Sequence, residues 1–476
     1  MNSGAIVVLV IGILMNVAAF FLPFRWLIRL FVIAVIASAY IPVAVTLFGL
    51  NLRISQMLIP IMLARIAGSG VLKKRSPFGN KLFIAGTLFW LALLGWTVVQ
   101  AGQSGNLSQP IGHVVLMGLN LIHALIAYLL VVSEQELRKA AMVLLASIAV
   151  FNGALLLANT DIVRNHLDTS FLMQDEGAVV LQSGEMSSSN ISRFVVGVAT
   201  GNISAAALVL VMSLLWTGRE SRGLLYAVAV MCIIGIVVGF SRQALVGLAA
   251  GTTLMMIYLM KARNLKRVMG FLALAGVLVV AFFATAQFSV TESYWEAFAG
   301  RAMLLADRSS YDGGTVNDRL RMWSGMADDI RANPLVGSGQ DAYLAYFPYA
   351  GGAGSHNYPL EVLHAAGVLG FLPFLYLHAS AMWVSWRMAL NRRIERAARL
   401  RMLGLLLAFC VLFLSSLTNL IAWNPAYWLI FGIVAGSARL LKQRLLLRPI
   451  WRPRLVPATM PPTYENRLRH VIRESV

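Results

Sequence analysis

Long uninterrupted apolar runs dominate the pattern of hydrophobic and polar positions in this chain. The runs from Phe271 to Phe288 and from Met402 to Trp423 contain no charged residue. An apolar stretch of about 18 or more residues is typical of a membrane span. Because the runs are continuous rather than alternating, they indicate helices and not the strands of a membrane barrel. The pattern therefore predicts an all-α, polytopic membrane bundle.

Thirteen apolar segments are candidates for these membrane helices. They cover residues 4–22, 27–48, 53–71, 82–99, 111–132, 139–158, 195–216, 223–240, 243–260, 268–288, 359–386, 402–420 and 425–441. The third segment is short, because Arg53 and Arg65 flank its apolar part, so the sequence leaves 12 or 13 crossings open. The first segment precedes the first positive charge, at Arg25. We interpret it as a retained helix, because a signal peptide carries positive charge ahead of its apolar core.

Polar stretches divide these helices into groups. We predict N-terminal, central and C-terminal transmembrane helices over residues 1–158, 195–288 and 359–441, a periplasmic loop over 159–194, a long periplasmic loop over 289–358 and a basic cytoplasmic tail over 442–476. The long loop contains apolar residues at intervals of three or four, namely Leu320, Trp323, Met326 and Ile330. This spacing predicts a helix over 316–333. Gly337 and Gly339 follow it, and Gly351, Gly352 and Gly354 come further along the same loop. We therefore expect a mobile, glycine-rich loop that can act as a lid.

Composition agrees with a membrane protein and changes the interpretation of the charge. Of the 476 residues, 59% are apolar and only 12% are charged, whereas a soluble domain carries about 25% charged residues. The net charge of +19 is therefore attributed to cytoplasmic loops under the positive-inside rule, and not to a nucleic-acid partner. Cys232 and Cys410 lie within apolar runs and provide neither a disulfide framework nor metal-ligand spacing.

Basic connections alternate along the chain with connections that are poor in charge. We place the basic ones in the cytoplasm and expect the basic tail to contact anionic membrane lipids. The opposite connections contain no lysine but contain or adjoin several arginines: Arg53, Arg164, Arg193, Arg242, Arg301, Arg308, Arg319, Arg321 and Arg331. A need for a planar, bidentate donor explains this bias. Ordinary salt bridges with nearby aspartates are the alternative.

Arg242 is the first candidate for chemistry. It lies in the turn Gly239-Phe240-Ser241-Arg242-Gln243, between two strongly apolar helices. An arginine close to the bilayer is costly, and the start of the following helix favours an anion. The turn therefore predicts an anion site, with snorkelling of the side chain to the interface as the alternative. Arg193 lies in a similar position, just before the helix that contains Asn202.

His356 is the second candidate, where the long loop re-enters the membrane. Histidine titrates near neutrality and can accept a proton from a hydroxyl, although a single histidine is more often structural. Glu361 follows five residues later and could orient His356 or pair with an arginine. His364 and His378, inside the same apolar helix, are interpreted as structural. The sequence shows no metal cluster, Walker loop or GxGxxG motif, so we expect metal-free chemistry in which arginines hold a phosphate group beside one base.

The segments around these residues resemble the O-antigen ligase and polymerase superfamily. Gly239-Phe240-Ser241-Arg242-Gln243-Ala244-Leu245 resembles its Ser-Arg turn. Asn317-Asp318-Arg319-Leu320-Arg321-Met322-Trp323 and Asn333-Pro334-Leu335-Val336-Gly337-Ser338-Gly339 resemble its Arg-x3-Trp … Pro-Leu-x-Gly-x-Gly segment. Ser355-His356-Asn357-Tyr358-Pro359-Leu360, followed by Gly367 and Gly370, resembles its His-Asn-x-x-Leu … Gly-x-x-Gly segment. Arg193, Gly197 and Asn202 resemble an upstream signature, and the likeness covers roughly residues 190–380.

The resemblance implies a GT-C-like fold of 12–13 transmembrane helices with a periplasmic loop subdomain. It also implies transfer of a glycan from undecaprenyl diphosphate to an acceptor hydroxyl, at the periplasmic face of the bacterial inner membrane, without a metal or cofactor. Carried over residue by residue, His356 is the expected base. The arginines expected to hold the diphosphate are Arg242, Arg319, Arg193 and Arg321, and the expected supporting residues are Asn357, Glu361 and Ser241.

The acceptor distinguishes two forms of this reaction. A ligase moves a finished O-antigen onto the lipid A–core oligosaccharide, whereas a polymerase joins repeat units that both remain lipid-linked. No motif identifies the acceptor, but the single compact loop that ends in the His-Asn motif favours the ligase. A secondary transporter is the alternative from another class. Transporters often carry internal repeats, and this sequence shows none.

Overall fold

The protein is a bundle of packed helices in the computed structural model, which describes residues 3–41, 45–47, 50–70, 81–104, 108–158, 197–238, 242–261, 311–340, 342, 357–417 and 421–447. The helices in this part are α1 (Ser3–Phe21), α2 (Phe24–Tyr40), α3 (Ile54–Met57), α4 (Ile59–Gly68), α5 (Lys81–Ser104), α6 (Ser108–Leu130), α7 (Glu134–Ala158), α8 (Gly197–Leu215), α9 (Arg222–Val238), α10 (Arg242–Lys261), α11 (Tyr311–Ala332), α12 (Tyr358–Leu390), α13 (Arg396–Ser416) and α14 (Pro425–Leu447). One antiparallel hairpin, β1 (Val45–Leu47) with β2 (Leu50–Leu52), and a 3-10 turn (Ile421–Trp423) complete it. The predicted all-α, polytopic membrane bundle is confirmed, and the hairpin is an addition to it.

Twelve of the thirteen predicted spans overlap helices in the described part of the chain, and segment 268–288 lies outside that part. The predicted span 27–48 is too long, because α2 ends at Tyr40 and residues 45–47 form β1. By length and composition alone, four helices within the described residues can each cross a membrane: Ile111–Leu130, Glu134–Leu157, Tyr358–Leu390 and Arg396–Ser416. The central helix is α8, whose residues 200–214 are all buried. A helix that is apolar on every side is expected inside a bundle rather than at its surface.

A hydrogen-bonded cluster ties four helices together around Asn152 of α7. Tyr40 Oη of α2 donates to Asn152 Oδ1 at 2.9 Å. Asn152 Nδ2 donates to Ser204 Oγ of α8 and to the Met231 carbonyl of α9, each at 3.0 Å. Gly235 of α9 leaves room for the cluster, because a Cβ there would lie 2.5 Å from the Asn152 amide. Polar side chains buried in a membrane bundle join helices in this way.

The short third segment runs the length of its neighbours as two pieces, α3 and α4. At its start, Arg53 reaches the Ser38 carbonyl near the end of α2, at 3.4 Å. At its other end, Arg65 donates to the Phe20 carbonyl and, at 2.7 Å, to the Leu22 carbonyl, where α1 passes into α2. Ser38 lies near the end of α2 and Leu22 lies just before its start. The third segment therefore passes, like α2, from one end of the bundle to the other.

Ion pairs gather at one end of the bundle, which we call the basic end. They join the predicted basic connections to one another: Arg29 to Glu136 (3.5 Å), Arg138 to Glu220 (2.6 Å), Arg219 to Glu395, and both Arg401 (3.3 Å) and Arg444 to Glu134. The starts of α7, α9 and α13 and the end of α14 meet there. The prediction that these basic connections share one side of the bundle is therefore consistent with the packing of the described residues.

Helix α12 is not one continuous rod. Gly367 has φ 57° and ψ −164°, a conformation that is nearly restricted to glycine. Along a straight helix, Tyr358 and Phe374 would lie about 24 Å apart, yet their ring centroids are 5.6 Å apart. The chain therefore folds back at Gly367, and we call residues 358–366 the head and residues 368–390 the stem of α12. This corrects the predicted continuous span 359–386, because only the stem extends through the bundle.

Candidate functional site

The structure describes the predicted site residues to different extents. Outside the described residues lie His356, Arg193 and Ser241. Placed by their backbone alone are Arg242, the first residue of α10, and Arg319, within α11. Described with their side chains are Arg321, Asn357 and Glu361.

Contacts of α13 show that α8 and α10 begin at the end of the bundle opposite the basic end. Ser415, in the last turn of α13, donates to Asn202 Oδ1 near the start of α8, at 3.2 Å. Gly247, near the start of α10, is so close to α13 that a Cβ would lie 2.9 Å from a Val411 methyl. Arg242, the first residue of α10, therefore lies at the end of the bundle where α13 ends.

The head of α12 begins at this same end, which we call the site end. The chain leaves α13 for the 3-10 turn, whose Trp423 ring lies 6.1 Å from Tyr358 and 5.8 Å from His113. Trp423 is held by Asn120, whose side chain donates to the Trp423 carbonyl at 3.0 Å. The residue that follows His356 in the sequence, Asn357, thus lies on the same side of the bundle as Arg242.

Three features fix the chain directly after His356. Asn357 caps the head, because its Oδ1 accepts from the Leu360 backbone N–H at 3.1 Å. A proline in the first turn suits a helix start, where its missing N–H leaves no bond unmade. Tyr358 is buried between Phe374 and Trp423, and its Oη donates to Met117 Sδ at 3.2 Å. The backbone that carries Asn357 is therefore anchored in the bundle.

The segment 334–339 satisfies the backbone groups exposed by the break in α12. Where the stem begins, the N–H groups of Val368 and Leu369 donate to the carbonyls of Pro334 and Leu335, at 2.9 and 3.0 Å. Where the head ends, two carbonyls accept from Ser338 and Gly339, at 2.7 and 3.0 Å. Helix ends leave such groups unpaired, and lipid offers no water to replace the bonds. We call this segment the splint.

Two glycines permit the close approach of the splint to the break. Gly337 has φ 78°, and a Cβ there would lie 2.5 Å from the His364 carbonyl. A Cβ on Gly367 would overlap the Leu335 carbonyl and lie 2.5 Å from Val336 N. The expectation that Gly337 loosens the chain is therefore wrong, whereas the glycines expected to complete the lid, Gly351, Gly352 and Gly354, lie outside the described residues. Gly337 and Gly367 are glycines because two backbones touch at these positions.

A buried polar group lies beside the splint. Glu361, which is 1% exposed, accepts from Gln340 Nε2 at 3.1 Å. The Gln340 backbone N–H in turn bonds to Thr97 Oγ1 of α5 at 3.3 Å, and Trp96 donates to the Gly337 carbonyl at 2.5 Å. Gln340 and Trp96 were not singled out from the sequence, because their partners lie far away along the chain. Glu361 is thus a buried carboxylate one turn after the start of the head.

Helix α11 packs along the head with one face. It runs from Tyr311 to Ala332, five residues earlier than the predicted start at 316. Met322 and Met326 are buried together, with Trp323 and Leu360 packed against them. The predicted face is only partly right, since Leu320 is 53% exposed.

The register of α11 separates the two candidate arginines. Positions 319, 322, 326 and 329 recur at intervals of three and four, which places them on one stripe of a helix. Met322 and Met326 show that this stripe faces the head. Arg321 lies beside the stripe and is exposed. Position 319 is therefore on the face turned to α12, and position 321 is not.

His364 makes the other polar contact between α11 and the head. Its Nε2 donates to Asp329 Oδ2 at 2.8 Å, and its side chain is fully buried. We interpret His364 as structural from the sequence, which could not show this hydrogen bond because Asp329 lies 35 residues away along the chain. Within the described residues, no group of three or more histidine, cysteine, aspartate and glutamate side chains forms a potential metal site.

Part of this chain is similar in sequence to known proteins. Residues 227–375 match the family model described as O-antigen ligase. The chain is also similar to the teichuronic acid biosynthesis protein TuaE of Bacillus subtilis (strain 168), with 26% identity over 221 residues that cover 44% of each chain. The chain thus spans less than half the length of this curated relative. These matches confirm the resemblance to the O-antigen ligase superfamily that the motifs predict. The residues that the family model matches include α10, α11 and the head of α12.

Proposed function

We propose that this protein is a membrane glycosyltransferase that moves a glycan from undecaprenyl diphosphate to an acceptor hydroxyl at the periplasmic face of the bacterial inner membrane. The proposed acceptor is the lipid A–core oligosaccharide, which makes the protein an O-antigen ligase. The site end is the proposed periplasmic side, because the basic end gathers the arginine-rich connections that the positive-inside rule assigns to the cytoplasm.

In the proposed reaction the acceptor hydroxyl attacks the anomeric carbon of the lipid-linked sugar. A bond forms from the acceptor oxygen to that carbon, and the bond from the carbon to the phosphate oxygen breaks. Undecaprenyl diphosphate leaves with the electron pair, and His356 accepts the hydroxyl proton as general base. Arginine offers two parallel N–H donors to phosphate oxygens, so that Arg242 and Arg319 stabilise the charge that develops on the leaving diphosphate. Asn357, Glu361 and Ser241 are the proposed supporting residues.

One observation carries the proposal: the helices that begin at Arg242 and directly after His356 start at the same end of the bundle. Asn357 caps the head, and Tyr358 and Glu361 are buried, so the helix start that follows the proposed base is anchored. The register of α11 favours Arg319 over Arg321 as the second diphosphate ligand, because position 319 is on the face turned to the head. Arg193 precedes α8, which begins at the same end, and is the next choice.

The test is deletion of the gene in its native strain, with wild type, His356→Ala and Arg242→Ala returned separately. If the protein is a ligase, long glycan bands on lipid A–core vanish on deletion, return with wild type and fail to return with either variant. Lipopolysaccharide on a gel gives the readout, and membrane levels of each variant must match wild type. Unchanged lipopolysaccharide together with unchanged lipid-linked donors contradicts the transferase proposal and favours the secondary transporter.

A polymerase is the second candidate function, and the similarity to a teichuronic acid biosynthesis protein supports it as an alternative to the ligase. The same base and the same diphosphate arginines serve both reactions, because only the acceptor differs. In the deletion strain, a polymerase leaves lipid A–core capped by single repeat units, whereas a ligase leaves it uncapped. The same gel therefore separates the two.

A further inference from the structure

More than apolar packing joins α11 to the head of α12. Met322 and Met326 pack with Leu360, and one turn further along both helices His364 donates to Asp329. His364 is fully buried, whereas the Asp329 side chain is 30% exposed. The hydrogen bond thus lies at the end of the apolar stripe, shortly before the splint begins at Pro334.

This contact restricts the two helices in a way that the methionines do not. Flexible, unbranched methionine side chains adapt to small shifts between helices. A hydrogen bond to a carboxylate is short and directional, and a buried histidine loses free energy when its partner moves away. The Asp329–His364 bond therefore fixes how far α11 can slide along the head.

The neighbouring aspartate provides an internal comparison. Asp328 is 68% exposed and pairs at 2.6 Å with Arg331, which is 78% exposed. Exposed pairs of this kind contribute little to stability. Asp328 and Asp329 are the same residue type on the same helical turn, and differ in the face of α11 that they occupy.

We propose that the Asp329–His364 hydrogen bond is a positioning contact that holds position 319 of α11 in fixed register with the start of the α12 head. The inference rests on the proposed function, because it requires residues of both helices to act on one donor and one acceptor. Neither Asp329 nor His364 touches substrate; both act through the distance between the diphosphate arginine and the base. A displacement of 1 Å at such a site lowers a rate by as much as about 100-fold.

The experiment compares Asp329→Ala, Asp329→Asn and Asp328→Ala in the full-length protein reconstituted in vesicles. A polyprenyl diphosphate-linked glycan and a core-oligosaccharide acceptor serve as substrates. We expect Asp329→Ala to lower kcat about 10- to 100-fold with the donor KM within about threefold, because ground-state binding survives while transition-state alignment is lost. Asp329→Asn keeps an acceptor atom and recovers part of the rate. Asp328→Ala behaves as wild type.

A second readout does not depend on turnover. Amide hydrogen exchange over residues 336–340 is expected to speed up in Asp329→Ala and not in Asp328→Ala, because the contact anchors α11 just before the splint. Equal kcat values for Asp329→Ala and Asp328→Ala overturn the inference. A rate loss that merely follows a lower thermal midpoint also overturns it, since the contact is then structural. Faster exchange with no transfer by wild type supports the coupling of the two helices and overturns the proposed function instead.

Discussion

Gly367→Ala tests the interlock between the splint and the break in α12. The substituted Cβ would overlap the Leu335 carbonyl and lie 2.5 Å from Val336 N. These are backbone atoms, so no side chain can turn away to make room. The backbone would also have to hold an alanine at φ 57° and ψ −164°. We therefore expect the splint to be forced off the helix break.

The cost follows from three contributions. Holding an alanine in a conformation nearly restricted to glycine costs about 1–3 kcal/mol, and overpacking costs about 1–3 kcal/mol more. The two bonds from Val368 and Leu369 to the splint weaken, each contributing about 0.5–1.5 kcal/mol net. Because the chain relaxes to relieve some of this strain, we expect a loss of about 2–6 kcal/mol in the free energy of unfolding.

The assay is unfolding in mixed detergent micelles, followed by circular dichroism, with Gly95→Ala as the matched control. Gly95 lies in the apolar helix α5, and a Cβ there would meet nothing within 4 Å. Its replacement is expected to stabilise the helix by about 0.5–1 kcal/mol. If Gly367→Ala unfolds at the same detergent fraction as Gly95→Ala, the interlock does not support the fold, and the explanation given for these glycines is wrong.

Four further predictions concern single side chains. Asn357→Ala removes the cap of the α12 head and should cost about 0.5–2 kcal/mol in unfolding free energy, while Asn357→Asp keeps a capping oxygen and should recover most of it. Asn152→Leu removes bonds to three neighbouring helices and should cost about 0.6–1.7 kcal/mol in the same assay. Ser385→Ala should be neutral, since the buried Ser385 Oγ has no hydrogen-bond partner among the described residues. Arg65→Met releases two carbonyls at the end of α1 and should expose α4 to proteolysis in membranes, whereas the exposed Lys442→Met should leave the digestion pattern unchanged.

The membrane helices could be predicted from the sequence because each is coded locally. An apolar run of helical length must satisfy its backbone polar groups within itself, and twelve of the predicted runs overlap helices in the described part of the chain. The common side of the basic connections followed from charge alone, and the ion pairs around Glu134 and Glu136 agree with it. These features need no knowledge of which helix packs on which.

The break in α12 could not be predicted in the same way. The sequence from Tyr358 to Leu390 is apolar throughout most of its length, so its pattern is that of one span. Only the pairing of Gly367 with a segment about 30 residues earlier makes a fold-back possible, and that pairing is tertiary. The same reason explains the error about Gly337, since a glycine that permits close contact looks, in sequence, like one that permits motion.

The candidate site was predicted from motifs and from the outer position of arginines, and its residues remain predictions. The structure adds that the helices beginning at Arg242 and after His356 start at one end of the bundle. It also adds partners that no local pattern shows, such as Gln340 for Glu361 and Asp329 for His364. The resemblance already favoured Arg319 over Arg321, and the packed face of α11 supports that preference.

Transfer by the purified protein tests the central proposal most directly. Wild type, His356→Ala and the neighbouring Ser355→Ala would each be reconstituted in vesicles with a polyprenyl diphosphate-linked glycan, a core-oligosaccharide acceptor and a metal chelator. The measurement is formation of the glycosylated acceptor together with release of polyprenyl diphosphate. We expect wild type and Ser355→Ala to form both products and His356→Ala to form neither. Equal transfer by His356→Ala and wild type would contradict the role of His356 as the base, and no transfer by any of the three would contradict the proposed reaction itself.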